Sequence, residues 1–501
     1  MHNETLFSLD YDISNWTVSS FSADSFAEDH ERRRLESKFM KITEVTENFD
    51  RRSVSYQLSK RESLHRWLKY REGFSSDLVS KLLDEFNVKS GETILDPFLG
   101  SGTTAVVCNI LGINSIGYDI LPMTKISIDA KKSVMKYDLS ELKDLYNAIE
   151  RLTTPNSFKK RTNYINITEG AYSESTARDI EYITQWNIKS KYSTEAKNLV
   201  TLSIVNSLEK VSYTTKDGQY LRWDNRSAKM ISSEEKRAKA GKKPIATKLD
   251  KGVLPSIKEA VLNELKSVIL DIENIQKTTS NQPDSTITFI EGSALFELVK
   301  LQGDTISGVI TSPPYCNRYD YTRTYALELA YLNTSEAKIK GLRQDLLSCT
   351  VENKSKLDKL KERYISINRL DDFMHTLDVV NNTKALQEIN ESLSNRLANG
   401  DINNKGVLRM VNEYFTELAF IYAELFRVCK SGAKVAFVND NVRYGGEVIP
   451  VDFISTEIAE QLGYKPIKIY TLKQQKGNSS QQMKKFGRVP LRKSITIWEK
   501  V

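Results

Sequence analysis

Along this chain, short unalternating runs of apolar and small residues are separated by longer stretches in which apolar positions recur every three or four residues. Residues 93–95 and 307–310 read as strands buried on both faces of a parallel sheet. Residues 114–119, 286–290 and 433–438 predict three more strands, and 467–470 with 494–498 a closing pair, seven in all. Between them fall predicted helices. Residues 74–86 place Phe74, Leu78, Leu82, Leu83 and Phe86 on one face, and residues 411–428 carry a stripe of Phe415, Leu418, Ala419, Tyr422 and Phe426. Residues 103–111 and 450–462 complete the set. This alternation predicts an α/β fold built on a mostly parallel sheet.

Two stretches are too long to be simple connections. About 150 residues of helical and basic sequence separate the second strand from the third, where sheet connections are normally short. The expected organisation is therefore an N-terminal extension (1–50), a first half of the sheet domain (51–138), an inserted domain (139–284), a second half (285–335), a helical insertion (336–410) and the remainder of the sheet (411–501). The extension reads as an irregular arm or a short helix. No internal repeat and no low-complexity segment is visible.

Composition narrows the class. Hydrophobic residues make up 40% of the 501, and no window approaches the roughly 20 apolar residues of a membrane helix, as in a soluble globular protein. The first residues lack both a basic start and an apolar stretch, so no secretory signal is expected and the cytoplasm is the default location. Cys108, Cys316, Cys349 and Cys429 lie far apart without a C-x-x-C pair, and there are only 4 histidines, which argues against a disulfide scaffold and against a metal site. The net charge of +7 is unevenly spread. Residues 209–252 hold 12 Lys and Arg against 6 Asp and Glu, and residues 465–493 hold 9 basic residues and no acidic one, a distribution suited to a polyanionic partner.

The chemistry lies at two strand ends. After the first strand comes Asp96-Pro97-Phe98-Leu99-Gly100-Ser101-Gly102-Thr103-Thr104. Its glycines let the backbone approach a ligand, and the following helix offers free N–H groups. Asp119, at the end of the second strand, is placed to accept hydrogen bonds from ribose hydroxyls, which points to an adenosine-type cofactor; its alternative use is to cap the next helix. After the fourth strand comes Thr311-Ser312-Pro313-Pro314-Tyr315. Two successive prolines remove backbone donors and leave carbonyls that only accept, so this turn can hold a primary amine, with Tyr315 as a flat face for a base. The alternative is a rigid turn with a core tyrosine.

Together these two motifs resemble motifs I and IV of the amino-group DNA methyltransferases, which use S-adenosylmethionine. The resemblance covers roughly residues 55–138, 285–335 and 411–500, and implies a Rossmann-like methyltransferase fold with an antiparallel C-terminal strand. It implies cofactor contacts from Asp96, Pro97, Phe98, Gly100, Ser101, Gly102 and Thr103, with Asp119 on the ribose. Ser312, Pro313, Pro314 and Tyr315 would hold the target amine. Residues 70–75 resemble, loosely, the motif that touches the methionine end. Ser293 stands where the family often places an acid against the adenine ring and is carried as a cofactor contact. The Asp-Pro-Phe form of motif I is most familiar where motif IV comes first, whereas here the cofactor loop precedes the catalytic one.

Tyr315 follows the prolines where a carbon-5 cytosine enzyme would present a thiolate, so a covalent nucleophile is not expected and Cys316 reads as packing. Serine before the prolines resembles the cytosine-N4 branch, with adenine-N6 as the alternative. Double-stranded DNA is the expected partner, its target base flipped into the pocket. Arg318, Tyr319 and Arg323 after the catalytic loop, and Arg222, Trp223 and Arg226 in the first insertion, are the candidate DNA contacts. A methyltransferase of RNA or of protein glutamine, and a non-catalytic DNA-binding module, remain open alternatives. A cognate restriction endonuclease is a possible further partner.

Overall fold

The computed structural model describes residues 29–50, 52–160, 165–217, 220–245, 248–279, 284–472, 486 and 491–501. Residues 1–28 of the expected extension, and most of 473–490 in the basic run, lie outside the described residues.

Twelve strands are numbered in chain order: β1 (Thr43–Thr46), β2 (Thr93–Asp96), β3 (Asn114–Asp119), β4 (Thr214–Asp217), β5 (Tyr220–Trp223), β6 (Ile287–Glu291), β7 (Ile306–Thr311), β8 (Cys429–Asp440), β9 (Val442–Tyr444), β10 (Glu447–Ile449), β11 (Tyr464–Leu472) and β12 (Lys493–Lys500). Eight of them form one sheet in the order β1-β11-β12-β8-β7-β2-β3-β6. Every neighbouring pair is parallel except those of β12, which runs antiparallel to both β8 and β11. All seven predicted strands lie in this sheet. The eighth, β1, comes from the N-terminal extension and pairs with β11 from Thr43 opposite Ile469 to Thr46 opposite Leu472. Four residues, Thr-Glu-Val-Thr, carry too little periodicity to announce a strand; the exposed edge of β11 makes them one.

Alternation sends neighbouring residues of β7 to opposite layers. Val309 packs with the helices Gly406–Val428 and Val451–Gln461, and Ile310 with the helix Ser76–Phe86. That last helix starts where the Ser75 side chain accepts from the Leu78 N–H and stops at Asn87, which takes the left-handed conformation. Its Leu78, Val79, Leu82 and Leu83 are buried.

The helices Thr194–Val211 and Ile257–Thr278 of the 139–284 segment bury Val200, Ile204, Val261 and Leu265 in one cluster with Met123 of the sheet domain and Tyr325 of the catalytic half. The hairpin β4–β5 extends this contact: Lys216 reaches Glu328 at 2.6 Å, both side chains being buried. On the other side, Arg32 of the helix His30–Phe39 pairs with Glu388 (2.8 Å) and Glu447 (3.1 Å), and Arg396 pairs with the same Glu447 at 2.7 Å. Buried charges thus join the extension, the 336–410 segment and β10.

From β2 the chain proceeds outward to β3 and β6, then returns to the opposite side of β2 as β7. The order reverses between β2 and β7, and ligands of such sheets bind beyond the carboxyl ends of the strands at that reversal.

Candidate active site

β2 ends on Asp96, whose buried carboxylate accepts from the Thr311 hydroxyl (2.6 Å), the Thr104 hydroxyl (2.7 Å) and the Phe98 N–H (3.0 Å). One side chain therefore ties together the end of β7, the helix Thr103–Ile110 and the turn between β2 and that helix. Burial raises its pKa to about 6 against the opposing pull of the three donors. The turn needs its glycines: Gly100 has φ +54° and a Cβ there would sit 2.7 Å from the Tyr70 ring, while one at Gly102, φ +87°, would collide with Ile128. The helix beginning at Thr103 has no side-chain cap. Beneath the turn, the Ser101 carbonyl accepts from Lys131 Nζ at 2.6 Å, and burial lowers the Lys131 pKa to about 7.

Asp119 closes β3. Its two oxygens accept from the Gly100 N–H and the Leu121 N–H, each at 2.8 Å, and burial raises its pKa to about 6. It does not cap the next helix, Pro122–Lys132, which has no side-chain cap. Each carboxylate oxygen keeps a further lone pair, enough to receive a pair of hydroxyls.

At the end of β7 the Ser312 hydroxyl is within 3.2 Å of two acceptors, the Val438 carbonyl and the Tyr315 hydroxyl. Lys493, the first residue of β12, donates to the Tyr315 hydroxyl at 3.1 Å, lies 4.9 Å from the centre of its ring and faces Asp440 at 3.4 Å. Asp440 and the Tyr315 hydroxyl hold the Lys493 pKa up against burial. Cys316 is fully buried, and burial pushes its thiol well above the ordinary range, in keeping with a packing role.

Both turns open onto one cleft. Pro97, Phe98, Gly100, Ser101, Thr103, Asp119 and Ser293 line it, and so do Ser312 and Pro314. Asp96, Gly102, Pro313 and Tyr315 are not on its wall: Asp96 braces the turn from below, Gly102 packs on Ile128, and Tyr315 faces Lys493. The cleft also receives residues that the sequence singled out loosely or not at all. Tyr70 stacks on Tyr325 at 5.4 Å, and the Tyr325 hydroxyl donates to Glu72 at 2.6 Å. Tyr321 joins this aromatic wall, and Asp345, Leu346 and Leu347 arrive from the second insertion. Aromatic faces, a half-satisfied carboxylate and a turn opened by Gly100 fit a nucleoside attached to a cationic sulfonium, since ring faces attract cations.

The candidate DNA contacts differ in how far they are committed. Arg323 pairs with Glu352 (2.8 Å) and Asp320 (3.3 Å), and Arg226 forks onto Asp224 at 2.8 and 2.9 Å. Trp223 lies under Lys229 at 4.5 Å, and Arg222 stands opposite Thr215 in the β4–β5 hairpin. Tyr319 is held toward Glu72. Arg318 departs from this pattern: it has φ +65°, lies 5.9 Å from the Tyr444 ring, and its buried Nε has no hydrogen-bond partner among the described residues.

Comparison with known proteins identifies the family. A family model described as DNA methylase, for N6 and N4 methyltransferases, matches residues 16–127. The Type II methyltransferase M.BsoBI of Geobacillus stearothermophilus is 54% identical over 498 residues, covering 99% of this chain and 97% of its own length. The Type II methyltransferase M.AvaI of Nostoc sp. is 38% identical over 487 residues, 95% of each chain. With such coverage from end to end, and with the two motifs on one cleft, the chain belongs to the type II DNA methyltransferases of the N6/N4 amino-group family.

Proposed function

We propose that this chain methylates the exocyclic N4 of cytosine in double-stranded DNA, as the cytoplasmic modification partner of a cognate restriction endonuclease. The observation that carries the reading is the shared cleft, in which Ser312 and Pro314 face Phe98, Gly100 and Asp119. S-adenosylmethionine is the methyl donor of the family, and when bound it supplies a methyl group already activated by its sulfonium.

The protein's work is then placement rather than covalent catalysis. Phe98 and Tyr70 offer apolar faces, Asp119 accepts from the ribose, and the Gly100 turn leaves room for the chain between them. The Ser312 hydroxyl and the Pro313 carbonyl hold the N–H groups of the target amine, turning its lone pair outward. Tyr315 stacks on the extruded base. Lys493 lies over one face of that ring, and a base stacked on the other would offset part of the few kcal/mol that flipping costs. Serine at 312 offers a small neutral acceptor suited to a pyrimidine amine. Arg318, which follows Asn317 in the same loop, is the candidate for a phosphate of the flipped nucleotide. The β4–β5 hairpin, packed against the helical turn Tyr321–Thr324, brings Arg222 and Trp223 to the catalytic side, which favours the first insertion as the target-reading element.

Sequencing that detects modified bases, applied to DNA from cells expressing the chain, tests the reading. N4-methylcytosine at one recurrent sequence is expected, lost in Ser312→Ala and Tyr315→Ala. N6-methyladenine instead would reject the cytosine assignment, and label entering tRNA or protein but not DNA would reject the substrate class.

A further inference from the structure

The geometry points to Asp345, from the second insertion, as the residue that reads the exocyclic amine of the cofactor's adenine. This rests on the cofactor orientation proposed above, with Asp119 on the ribose. Three acids line the inner cleft: Glu72, Asp119 and Asp345. Glu72 is engaged by the Tyr325 hydroxyl at 2.6 Å, and Asp119 belongs to the ribose position. A purine attached to a ribose held by Asp119 would extend past Ile120 toward Gly292 and Ser293, which line the same cleft.

That end of the cleft continues into an outer one, and the residues common to both are Ile120, Gly292, Ser293 and Asp345. Glu291 and Glu297 line the outer cleft alone, so Asp345 is the acid at this end that reaches the inner one, beside the serine that occupies the position expected of an acid. Leu346 and Leu347, which follow it along the inner wall, supply apolar surface.

Local energetics give no reason for an acid here. Asp345 is the last residue of the helix Glu336–Asp345, where the helix dipole disfavours negative charge. It pairs with Lys359 at 3.1 Å, between side chains 44% and 61% exposed, and such a pair contributes little. A carboxylate accepts from the 6-amino group of adenine and repels a 6-oxo group, so Asp345 confers selectivity for the adenosyl ligand over its inosyl counterpart.

The test is direct binding, by calorimetry, of S-adenosylhomocysteine and S-inosylhomocysteine to the full chain without DNA. The wild-type protein is expected to prefer the adenosyl ligand by roughly tenfold or more. Asp345→Asn, whose amide can also donate, should erase most of that preference, and Asp345→Ala should weaken the adenosyl ligand alone. A preference unchanged in both variants, while Asp119→Ala weakens both ligands, overturns the assignment of Asp345 and leaves the cofactor site standing. If Asp119→Ala leaves both affinities unchanged as well, the orientation on which the assignment rests falls with it.

Discussion

The two turns of the cleft are built in opposite ways. The glycine turn is held by residues of its own neighbourhood: Asp96 binds Phe98 and Thr104, Asp119 binds Gly100, and Lys131 binds Ser101. The proline turn is held from far along the chain, by the Val438 carbonyl of β8 and by Lys493 of β12. Two hydrogen bonds join them where β7 ends, a short one from Thr311 to Asp96 and a longer one from Thr104 to the Ile310 carbonyl. The difference teaches that the glycine side of the cleft is stiffened by local hydrogen bonds, whereas the proline side depends for its shape on the C-terminal strands.

The largest expected effect comes from cutting the shared contact. Asp96→Ala leaves three donors without their acceptor and should lower unfolding stability by about 3 kcal/mol or more, read in a denaturant titration; a loss under about 1 kcal/mol would mean that the turns are braced independently. Tyr315→Ala should separate the turns instead. Transfer to DNA is expected to fall roughly tenfold to hundredfold while affinity for S-adenosylhomocysteine is preserved, and equal losses in both would merge the two sides.

A pH series sharpens the donor side. The Asp119 carboxyl, raised to about 6, must be ionised to accept two hydroxyls, so ligand binding draws its pKa down. Affinity for S-adenosylhomocysteine should therefore be level above pH 6 and decline as pH falls below it, by up to about tenfold per unit, with Asp119→Asn weaker but flat. The smallest expected effect is at Lys493. Lys493→Met should slow transfer about fivefold by freeing the Tyr315 ring, with Arg restoring most of the rate if positioning by a cation is what matters.

The local character of the glycine turn is also why it was legible. Its strand, its glycines, Asp119 and the following helix lie within about 25 residues, and local periodicity and turn chemistry report on such a span. The proline turn was legible as a motif, but the lysine behind Tyr315 was not, because nothing near Lys493 distinguishes it from its basic neighbours. The Asp345–Leu347 corner left no trace for the same reason: a charged residue at a helix end followed by two leucines is ordinary in sequence, and acquires meaning when the insertion folds back over the cleft. β1 is the extreme case, an edge strand made by the partner it meets.

From sequence alone came the α/β class, seven of the eight strands of the sheet and the two turns that line the cleft, because burial on both faces and backbone geometry restrict residue type at each position. The tertiary structure alone decided that these turns meet, which distant side chains brace them, and which corner of the second insertion completes the cavity. Those contacts join residues from 126 to 215 positions apart, and they are selected by the order in which strands pair rather than by any local pattern.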